Sequence, residues 1–325
     1  MKPRDSLRRF AMKLLCTLLG IVLAVMLGGT MIFRHYLNQI QYTGPQEPAE
    51  NNILSVFSAI PLGNTGENRI GGPGSDLLNI LLIGQDAREG DAQARSDSMI
   101  LCSYNKKNNT LTMTSFLRDL YVEIPGHGSN RINAAYSFGG TKLLKKTLEH
   151  NFGLYIDGSI EVDFSHFSEI IDHLGGVEIE LRQDEARVIN KQTGSNLSEG
   201  LQRLDGFQAL TYSRIRSLDT DGDFSRTDRQ RKVINALVDA FREIRITELT
   251  PMLNDLLPML TTDLNPGQIL FCALEVVPSL SDMETASQRI PADGTFSDQT
   301  IDGMAVLVAD MAAQQEYLRR VLTEG

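Results

Sequence analysis

Apolar residues in this chain fall into one long N-terminal run and, after residue 76, into many short runs separated by polar turns. Two of the short runs, at 77–83 and 98–104, are rich in Leu and Ile. They are too short for stable helices and predict two strands, with Gly84 ending the first. The loop between them is dense in Asp and Arg. Because ligands usually bind beyond the carboxyl ends of strands in an open α/β sheet, this loop is the first candidate site.

The rest of the chain alternates between predicted strands and amphipathic helices. Residues 131–152 predict a short helix, a Gly-Gly break and a second helix. Thr227 and Gln230 have the spacing of a capping box at the start of a helix at 227–244. Further strands are predicted at 110–116, 121–124, 158–164, 177–181 and 287–290, and further helices at 165–174, 253–260, 269–277 and 304–322. This alternation predicts the α/β class.

The N-terminal run predicts a membrane span. Residues 14–33 are twenty consecutive uncharged, mostly apolar positions, which at about 1.5 Å per residue match a hydrocarbon core of about 30 Å. A cleavable signal peptide is the alternative, but its apolar region is usually shorter and ends in a small-x-small site. The basic residues at 1–13 predict a cytoplasmic tail, a single-pass anchor in the cell membrane and an extracellular remainder.

Residues 34–76 predict an extracellular stalk, because they are rich in Pro, Gly, Asn and Glu. One apolar island at 53–60 is expected to pair briefly with the domain. The Gly cluster at 71–74 lacks a preceding strand and a Gly-Lys-Ser ending, so it predicts a flexible linker and not a phosphate loop. The folded domain is predicted at 77–246, with a C-terminal segment at 247–325 that completes it.

Composition supports a folded domain that does not bind nucleic acid. The 325 residues are 42% apolar and 22% charged, enough for a full core. The net charge is −10, and the residues after position 13 carry 26 bases and 40 acids, a net charge of −14, which argues against a nucleic-acid surface. Cys16, Cys102 and Cys272 follow no disulfide or zinc spacing and predict small buried side chains.

Two constellations of charge carry the candidate chemistry. In the first loop, Asp86 and Asp97 offer carboxylates and Arg88 and Arg95 offer guanidiniums where one strand ends and the next begins. Such a loop is suited to hold a divalent cation and a phosphate together.

The second constellation lies at 212–231, where five arginines surround a loop before a helix. A helix N-terminus attracts phosphate through free N–H groups and a positive dipole end, and Arg226 is expected just ahead of it. The chain has 22 Arg and 9 Lys, and the planar guanidinium suits phosphate oxygens. A solvated network of Asp–Arg pairs remains the alternative at this stage. The five arginines are Arg214, Arg216, Arg226, Arg229 and Arg231.

Over residues 77–246 the chain resembles the LytR-CpsA-Psr family of membrane-anchored cell-wall enzymes. It departs from the family at Leu117, where Pro is usual, at Arg131, where Lys is frequent, and in the length of the loop between Gly84 and Asp97. The matching motifs are GQDAR at 84–88, RSD at 95–97, LRD at 117–119, RINAAYSFGG at 131–140, VDFSHFSEIIDHLGGVEIE at 162–180, LDGFQALTYSRIR at 204–216 and DFSRTDRQR at 223–231.

The resemblance implies a three-layer α/β/α sandwich with a central mixed sheet, which holds a polyprenyl-pyrophosphate-linked glycan with its lipid in an apolar pocket. The implied reaction transfers this glycopolymer, a teichoic acid, capsule or similar, to peptidoglycan. Asp86 and Asp97 match the carboxylates that hold Mg²⁺, with Mn²⁺ as a second option. The implied catalytic residues are Asp86, Arg95, Asp97 and Arg118. The implied pyrophosphate ligands are Arg88, Arg95, Arg118, Arg214, Arg216, Arg226 and Gln230, with Asp223 orienting one of the arginines.

Two other functions stay open at this point. A lipid-pyrophosphate hydrolase would use the same metal and arginines with water as the nucleophile. A non-catalytic regulator would bind the lipid-linked glycan without turnover.

Overall fold

The computed structural model describes residues 39–44, 69–85, 96–216, 218, 223–244, 252 and 254–324. The predicted membrane span at 14–33 and the apolar island at 53–60 lie outside these residues. Within the described part of the chain, no helix is both long enough and apolar enough to cross a membrane.

Short strands and helices alternate along the described chain, as the apolar pattern predicts. The strands are β1 (Gln41–Tyr42), β2 (Leu77–Gln85), β3 (Ser96–Asn105), β4 (Thr110–Phe116), β5 (Tyr121–Ile124), β6 (Gly128–Arg131), β7 (Gly158–Asp163), β8 (Val177–Leu181), β9 (Gly200–Leu204), β10 (Thr261–Thr262), β11 (Glu284–Ile290), β12 (Phe296–Ile301) and β13 (Met304–Ala309). The helices are α1 (Ile132–Phe152), α2 (Phe164–His173), α3 (Gln183–Thr193), α4 (Gly206–Ser213), α5 (Asp223–Arg242), α6 (Pro266–Val276) and α7 (Met311–Thr323).

The central sheet has the strand order β1-β10-β7-β2-β3-β4-β11. It is mixed, because β2 is antiparallel to β3 but parallel to β7, and β11 is parallel to β4. The expected α/β fold with a central mixed sheet is therefore confirmed. Strand β2 extends one residue past Gly84, to Gln85, but its register with β3 shifts between these two residues, so Gly84 marks the end of the regular pairing. A Cβ at Gly84 would lie 3.1 Å from the Cβ of Ser98, so glycine permits this close pairing.

One face of the sheet packs into the main core. Side chains alternate along each strand, so Leu81 and Ile83 share a face with their β3 partners Leu101 and Met99. This face is buried together with residues of α1 and α7. The last helix is therefore part of the main core, and the C-terminal segment is integral to the described domain.

The opposite face of the sheet lies under α2, α4 and α5. These helices bury a separate cluster together with α3, β8 and β9, which includes Ile171, Leu204, Tyr212 and Val233. They pack against one another in this cluster and leave a cavity between themselves and the sheet. Leu82, on this second face, is only half-buried.

Helix α5 begins one turn earlier than predicted. Asp223 is its first residue, so Thr227 and Gln230 lie inside the helix and the predicted capping box is wrong. The physical reason is favourable charge in the first turn: the Asp223 carboxylate lies at the positive end of the helix and pairs with Arg226 at 2.9 Å. Arg226 therefore lies within the first turns of α5 and not ahead of them.

The predicted helix at 304–322 is also wrong in its first part. Residues 304–309 form β13, which pairs with β12 in a hairpin, and α7 begins only at Met311. The turn is Asp302-Gly303, with φ of 50° and 77°. An Asp-Gly pair accommodates left-handed backbone at both positions and is a strong hairpin signal. The apolar residues of β13 have a composition that is also common in helices. The Asp302-Gly303 turn signal is what distinguishes a strand from a helix here.

Two further predictions are confirmed. Helix α1 is interrupted at Gly139 and Gly140, where the backbone leaves the helical region. Cys102 and Cys272 are free thiols as predicted, although their side chains are half-buried and not fully buried. Burial raises the pKa of each to about 12, so both stay protonated at neutral pH.

The contact between α4 and α2 provides a test of this packing. A Cβ at Gly206 would lie 2.0 Å from the backbone oxygen of Ser168, which cannot rotate away. Gly206→Ala is expected to lower the free energy of unfolding by about 1–3 kcal/mol, measured by denaturant titration. Phe207→Ala, at an exposed neighbouring position, is the control and should change it by less than about 0.5 kcal/mol. Equal stability of Gly206→Ala and the wild type would contradict the close approach.

Candidate functional site

The carboxylate of Asp223 lies among three guanidiniums. Nη2 of Arg226 is 2.9 Å away, Nε of Arg118 is 3.5 Å away and Nε of Arg216 is 4.0 Å away. Arg118 follows β4, Arg216 follows α4 and Arg226 belongs to α5, so three segments that are distant in sequence meet at one carboxylate. Four of the residues predicted for the site are thus brought together.

The charges in this cluster favour an anion. Three guanidiniums share one carboxylate, which leaves an excess of two positive charges. The Arg226 side chain is only 3% exposed, whereas Arg118 is 25% and Arg216 is 47% exposed. Arg226 therefore forms the buried base of the cluster, and the other two guanidiniums are accessible to a bound phosphate group.

A second carboxylate extends the cluster. Asp119 lies 3.5 Å from Nε of Arg118 and 3.3 Å from Nη1 of Arg131. Arg131 also donates from Nε and Nη2 to the carbonyl of Ala305, at 3.0 and 2.6 Å. Arg131 thus ties the β12–β13 hairpin to the arginine cluster, a role that its position in the sequence did not reveal.

A buried ion pair holds the loop that carries Arg214 and Arg216. Nε of Arg229 donates to Glu185 at 2.8 Å, and both side chains are 3% exposed. Nη1 of Arg229 donates to the carbonyl of Ile215, the residue between the two loop arginines, at 3.1 Å. Because a buried charge needs a partner, this pair joins α3, α5 and the loop firmly.

The two remaining arginines of the second constellation have separate positions. The guanidinium of Arg214 lies over the ring of Phe164, 4.7 Å from its centroid. Arg231 is buried and pairs with Asp228. Burial lowers the pKa of Arg231, while Asp228 opposes this effect. Neither Arg229 nor Arg231 was predicted as a ligand, and their burial agrees with a structural role.

An apolar cavity of about 100 Å³ lies between the sheet and helices α2, α4 and α5. At its rim, Oγ of Ser98 donates to Oε1 of Gln230 at 3.1 Å. Gln230 lies one helical turn after Arg226 on α5, so the polar rim is next to the arginine cluster. The apolar lining is Leu82, Ile100, Ile160, Val162, Phe164, Phe167, Leu210 and Ile234.

The predicted metal ligands are described only in part. Asp86, Arg88 and Arg95 lie outside the described residues, and Asp97 belongs to β3 without a described side chain. Gln85 and Ser96, the residues that precede the two aspartates, are paired across β2 and β3. Two carboxylates are the hard oxygen donors that Mg²⁺ prefers, so the residue types fit this ion. Within the described residues, no group of three or more His, Cys, Asp and Glu side chains is arranged to hold a metal.

A buried carboxylate fixes the end of β2. Glu161 accepts hydrogen bonds from Tyr136 Oη at 2.7 Å, from Thr141 Oγ1 and from Gln85 Nε2. Burial, and then the hydrogen bond to Glu161, raise the pKa of Tyr136 above its usual range, so this hydroxyl remains a donor. Glu161 thereby holds Gln85, the residue before Asp86. The apolar pattern gave no signal for this cluster, because Glu161 is one acid between Ile160 and Val162 in a β-strand.

Together these features define an α/β domain in which an anion-binding arginine cluster lies beside an apolar cavity. The chain belongs to the LytR_cpsA_psr family, whose model matches residues 63–321. The family resemblance of the sequence motifs is thus confirmed.

Known relatives include enzymes and a protein named as a regulator. The polyisoprenyl-teichoic acid–peptidoglycan teichoic acid transferase TagT of Bacillus subtilis is 33% identical over 220 residues, which cover 66% of this chain and 67% of TagT. The regulatory protein MsrR of Staphylococcus aureus is 40% identical over 162 residues, 49% of this chain. The matched stretch spans 48% of MsrR, about half its length.

A solved structure of TagT with bound octaprenyl pyrophosphate lipid has the same fold. It superposes with a TM-score of 0.60 at 26% identity and covers 79% of this chain and 93% of that chain. The α/β fold with a central mixed sheet is therefore shared with this relative.

The buried pair at the base of the site allows a stability test. Glu185→Ala leaves Arg229 buried without its carboxylate, and we expect the free energy of unfolding to fall by about 3–5 kcal/mol. Glu178→Ala is the matched control, since Glu178 and Arg203 form an exposed pair at 3.2 Å that contributes about 0–1 kcal/mol. Denaturant titration of both variants measures the difference. Similar, small effects in both would show that the buried pair does not hold the loop.

The arginine cluster allows a binding test. Arg216 is half exposed, so Arg216→Ala should leave thermal unfolding nearly unchanged while it weakens binding of a polyprenyl pyrophosphate about tenfold or more. Arg203→Ala, which removes an exposed arginine outside the cluster, is the control and should not change the affinity. The affinity is measured by titrating the lipid into the full chain in nanodiscs. An unchanged affinity in Arg216→Ala would remove Arg216 from the site.

Proposed function

We propose that this chain transfers a polyprenyl-pyrophosphate-linked glycopolymer, such as a teichoic acid or capsule polymer, to peptidoglycan. The observation that carries the proposal is the position of the arginine cluster around Asp223 beside an apolar cavity between the sheet and helices. A molecule with an anionic diphosphate head and a long apolar tail matches both parts. The transferase activity for which TagT is named and the lipid bound in its solved structure support the same substrate class.

The cavity must widen to hold a polyprenyl tail. Its volume of about 100 Å³ is below the roughly 300–1,000 Å³ of ordinary ligand pockets. The helices over it form their own apolar cluster, so they can move from the sheet together without losing that core. Entry of the tail would then cover Leu82, which is half-buried on the sheet face.

The proposed reaction is a displacement at phosphorus. The oxygen of a sugar hydroxyl on the acceptor forms a bond to the phosphorus that carries the glycan. The bridging P–O bond breaks, its electron pair leaves with the lipid phosphate, and the hydroxyl proton is lost to water. Arg118, Arg216 and Arg226 stabilise the negative charge on the diphosphate, which is the main contribution that a protein makes to phosphoryl transfer. In this proposal the head group is oriented by Gln230, at the cavity rim, and by Arg214, which lies over the cavity residue Phe164.

We also propose that Asp86 and Asp97 hold Mg²⁺, with Mn²⁺ as a possible substitute, and that Arg88 and Arg95 bind the pyrophosphate from the same loop. When bound, the ion would supply positive charge next to the diphosphate oxygens. The buried Glu161 would keep the start of this loop in place through Gln85.

The proposed arrangement of the whole chain follows from its lipid substrate. A cytoplasmic tail at 1–13, a transmembrane helix at 14–33 and a stalk at 34–76 would hold a catalytic domain at 77–246 against the outer surface of the cell membrane. Within the stalk, β1 pairs with the central sheet and Ile70 packs into the main core, so these parts belong to the fold of the domain. The segment 247–325 completes that domain, in which helices cover the sheet as an α/β/α sandwich of three layers. Its partners are then the membrane, the lipid-linked glycan and the peptidoglycan acceptor, and not nucleic acid.

One experiment tests the transferase against both alternatives. The full chain in nanodiscs is incubated with a polyprenyl-pyrophosphate oligosaccharide, Mg²⁺ and uncrosslinked peptidoglycan. We expect phosphoglycan attached to peptidoglycan and released polyprenyl phosphate in equal amounts. Free phosphoglycan with no attached product would identify a hydrolase. Binding of the lipid without turnover would instead favour a regulator, the function named for MsrR.

The metal proposal is tested at Asp97. Asp97→Ala is expected to reduce turnover by about a hundredfold or more, because it removes one of two carboxylates for the ion, while thermal unfolding is unchanged. Asp76→Ala is the control, since Asp76 is exposed just before β2, at the opposite end of that strand from Asp86. Near-normal turnover of Asp97→Ala, measured with and without added Mg²⁺, would rule out the metal role.

A further inference from the structure

A second cavity, of about 360 Å³, opens on Asp223. Its walls come from the loop after β4, the first turn of α5 and the β12–β13 hairpin, and we refer to it as the hairpin cleft. The residues that define it are Asp119, Asp223, Phe224, Asp298, Gln299 and Thr300. Its volume lies within the range of ordinary ligand pockets.

The face of the hairpin that borders this cleft carries both apolar and exposed polar side chains. Asp298 pairs with Leu307 and Thr300 pairs with Ala305, so these four side chains share the face of the hairpin that also carries Phe296. That face is directed toward the domain, because Leu307 is buried and Phe296 stacks on Phe224 at 5.6 Å. Asp298 and Thr300 nevertheless remain exposed. Polar, accessible residues on an inward face line a space that is open to a ligand.

The hairpin is held rigidly beside the arginine cluster. The backbone N–H of Leu307 donates to the carbonyl of Asp119 at 2.9 Å, and Leu120 forms a β-bridge with Leu307. Arg131 donates to the carbonyl of Ala305 and pairs with Asp119. The cleft and the anion site thus share Asp119 and Asp223 as a common wall.

The side chains that line the hairpin cleft indicate which kind of ligand it can bind. Three carboxylates, one amide and one hydroxyl surround an apolar floor with an aromatic ring, and the described lining residues include no base. Such groups accept hydrogen bonds from hydroxyls and amides. Because Asp119 and Asp223 are paired with arginines, the exposed carboxylate of Asp298 supplies the charge that repels an anion. The anionic donor therefore belongs on the arginine side of Asp223, and a neutral, hydroxyl-rich molecule belongs on the hairpin side.

We infer that the hairpin cleft binds the acceptor, a neutral amino-sugar chain, and that Asp298 and Thr300 determine its specificity. The inference rests on the proposed transferase function and adds the place and the chemistry of acceptor recognition. A sugar bound in the cleft has its hydroxyls next to Asp223, and hence next to a diphosphate held by Arg118 and Arg216. The two substrates then meet across a single shared carboxylate.

The first test measures sugar binding without any reaction. A neutral β-1,4-linked N-acetylglucosamine tetramer and an anionic oligogalacturonate of equal length are titrated into the full chain in nanodiscs. We expect the neutral tetramer to bind and the anionic one not to bind. Asp298→Ala and Thr300→Val should each weaken the neutral tetramer about fivefold, which corresponds to the loss of one hydrogen bond. Asp298→Ala should also reduce the discrimination against the anionic oligomer.

The matched control is Asp302→Asn, which removes one negative charge in the turn of the same hairpin, outside the cleft lining. It should leave both affinities unchanged, since Asn tolerates the left-handed backbone of that position. In the transfer reaction, Asp298→Ala and Thr300→Val should raise the acceptor KM about fivefold with kcat and lipid affinity unchanged.

The outcomes separate this inference from the proposed function. Failure of the tetramer to bind, or equal binding by the wild type and Asp298→Ala, would overturn the inference even if transfer occurs. An equal loss of lipid affinity in Asp298→Ala would also overturn it, because the hairpin would then act on the whole site. Binding that depends on Asp298 in a chain without transfer would support a sugar-binding cleft and reject the transferase.

Discussion

The site depends on one carboxylate that three guanidiniums share. Without Asp223, the like charges of Arg118, Arg216 and Arg226 would repel one another, and Arg226 would be buried without its counter-ion. Its position as the first residue of α5 gives it a second role, because a carboxylate there stabilises the helix N-terminus. The Asp223 carboxylate therefore holds together the beginning of α5, the loop after β4 and the loop after α4. The three guanidiniums that it binds also create the excess positive charge.

The apolar residues form separate cores on the two sides of the sheet, and this arrangement places an apolar cavity beside the arginine cluster. One face of the sheet is sealed by α1 and α7, whereas α2, α4 and α5 form a core of their own over the other face. This leaves a cavity that opens beside Gln230, one helical turn from Arg226. The hairpin cleft lies on Asp223 as well, with an acidic lining in place of arginines. A cationic cluster, an apolar cavity and an acidic cleft thus meet around one helix terminus, which is the arrangement that a transfer between two different substrates requires.

Local patterns in the sequence predicted most strands, the broken helix α1 and a site that includes Arg216 and Arg226. Arg229 and Arg231, from the same segment, are buried in pairs of their own. The predictions were wrong where one pair of residues determines where an element begins. The Asp223–Arg226 pair extends α5 by one turn at its N-terminus. The Asp302-Gly303 turn forms a hairpin from residues whose composition is helix-like. The Glu185–Arg229 pair joins residues 44 positions apart, so no local pattern reveals it. The four-residue spacing of Arg229 and Val233, both buried on α5, was the one available signal that Arg229 faces the interior. The roles of Asp86, Arg88 and Arg95 stay predictions, because these residues lie outside the described part of the chain.

The central claim is that one molecule occupies both the arginine cluster and the cavity between the sheet and helices. The most direct measurement is an experimental structure of the full chain with a polyprenyl pyrophosphate. We expect the diphosphate in contact with Arg118 and Arg216, and the tail between Leu82 and Ile234 in a cavity wider than the present one of about 100 Å³. A lipid bound elsewhere, or a diphosphate at the arginines with its tail outside an unchanged cavity, would contradict it.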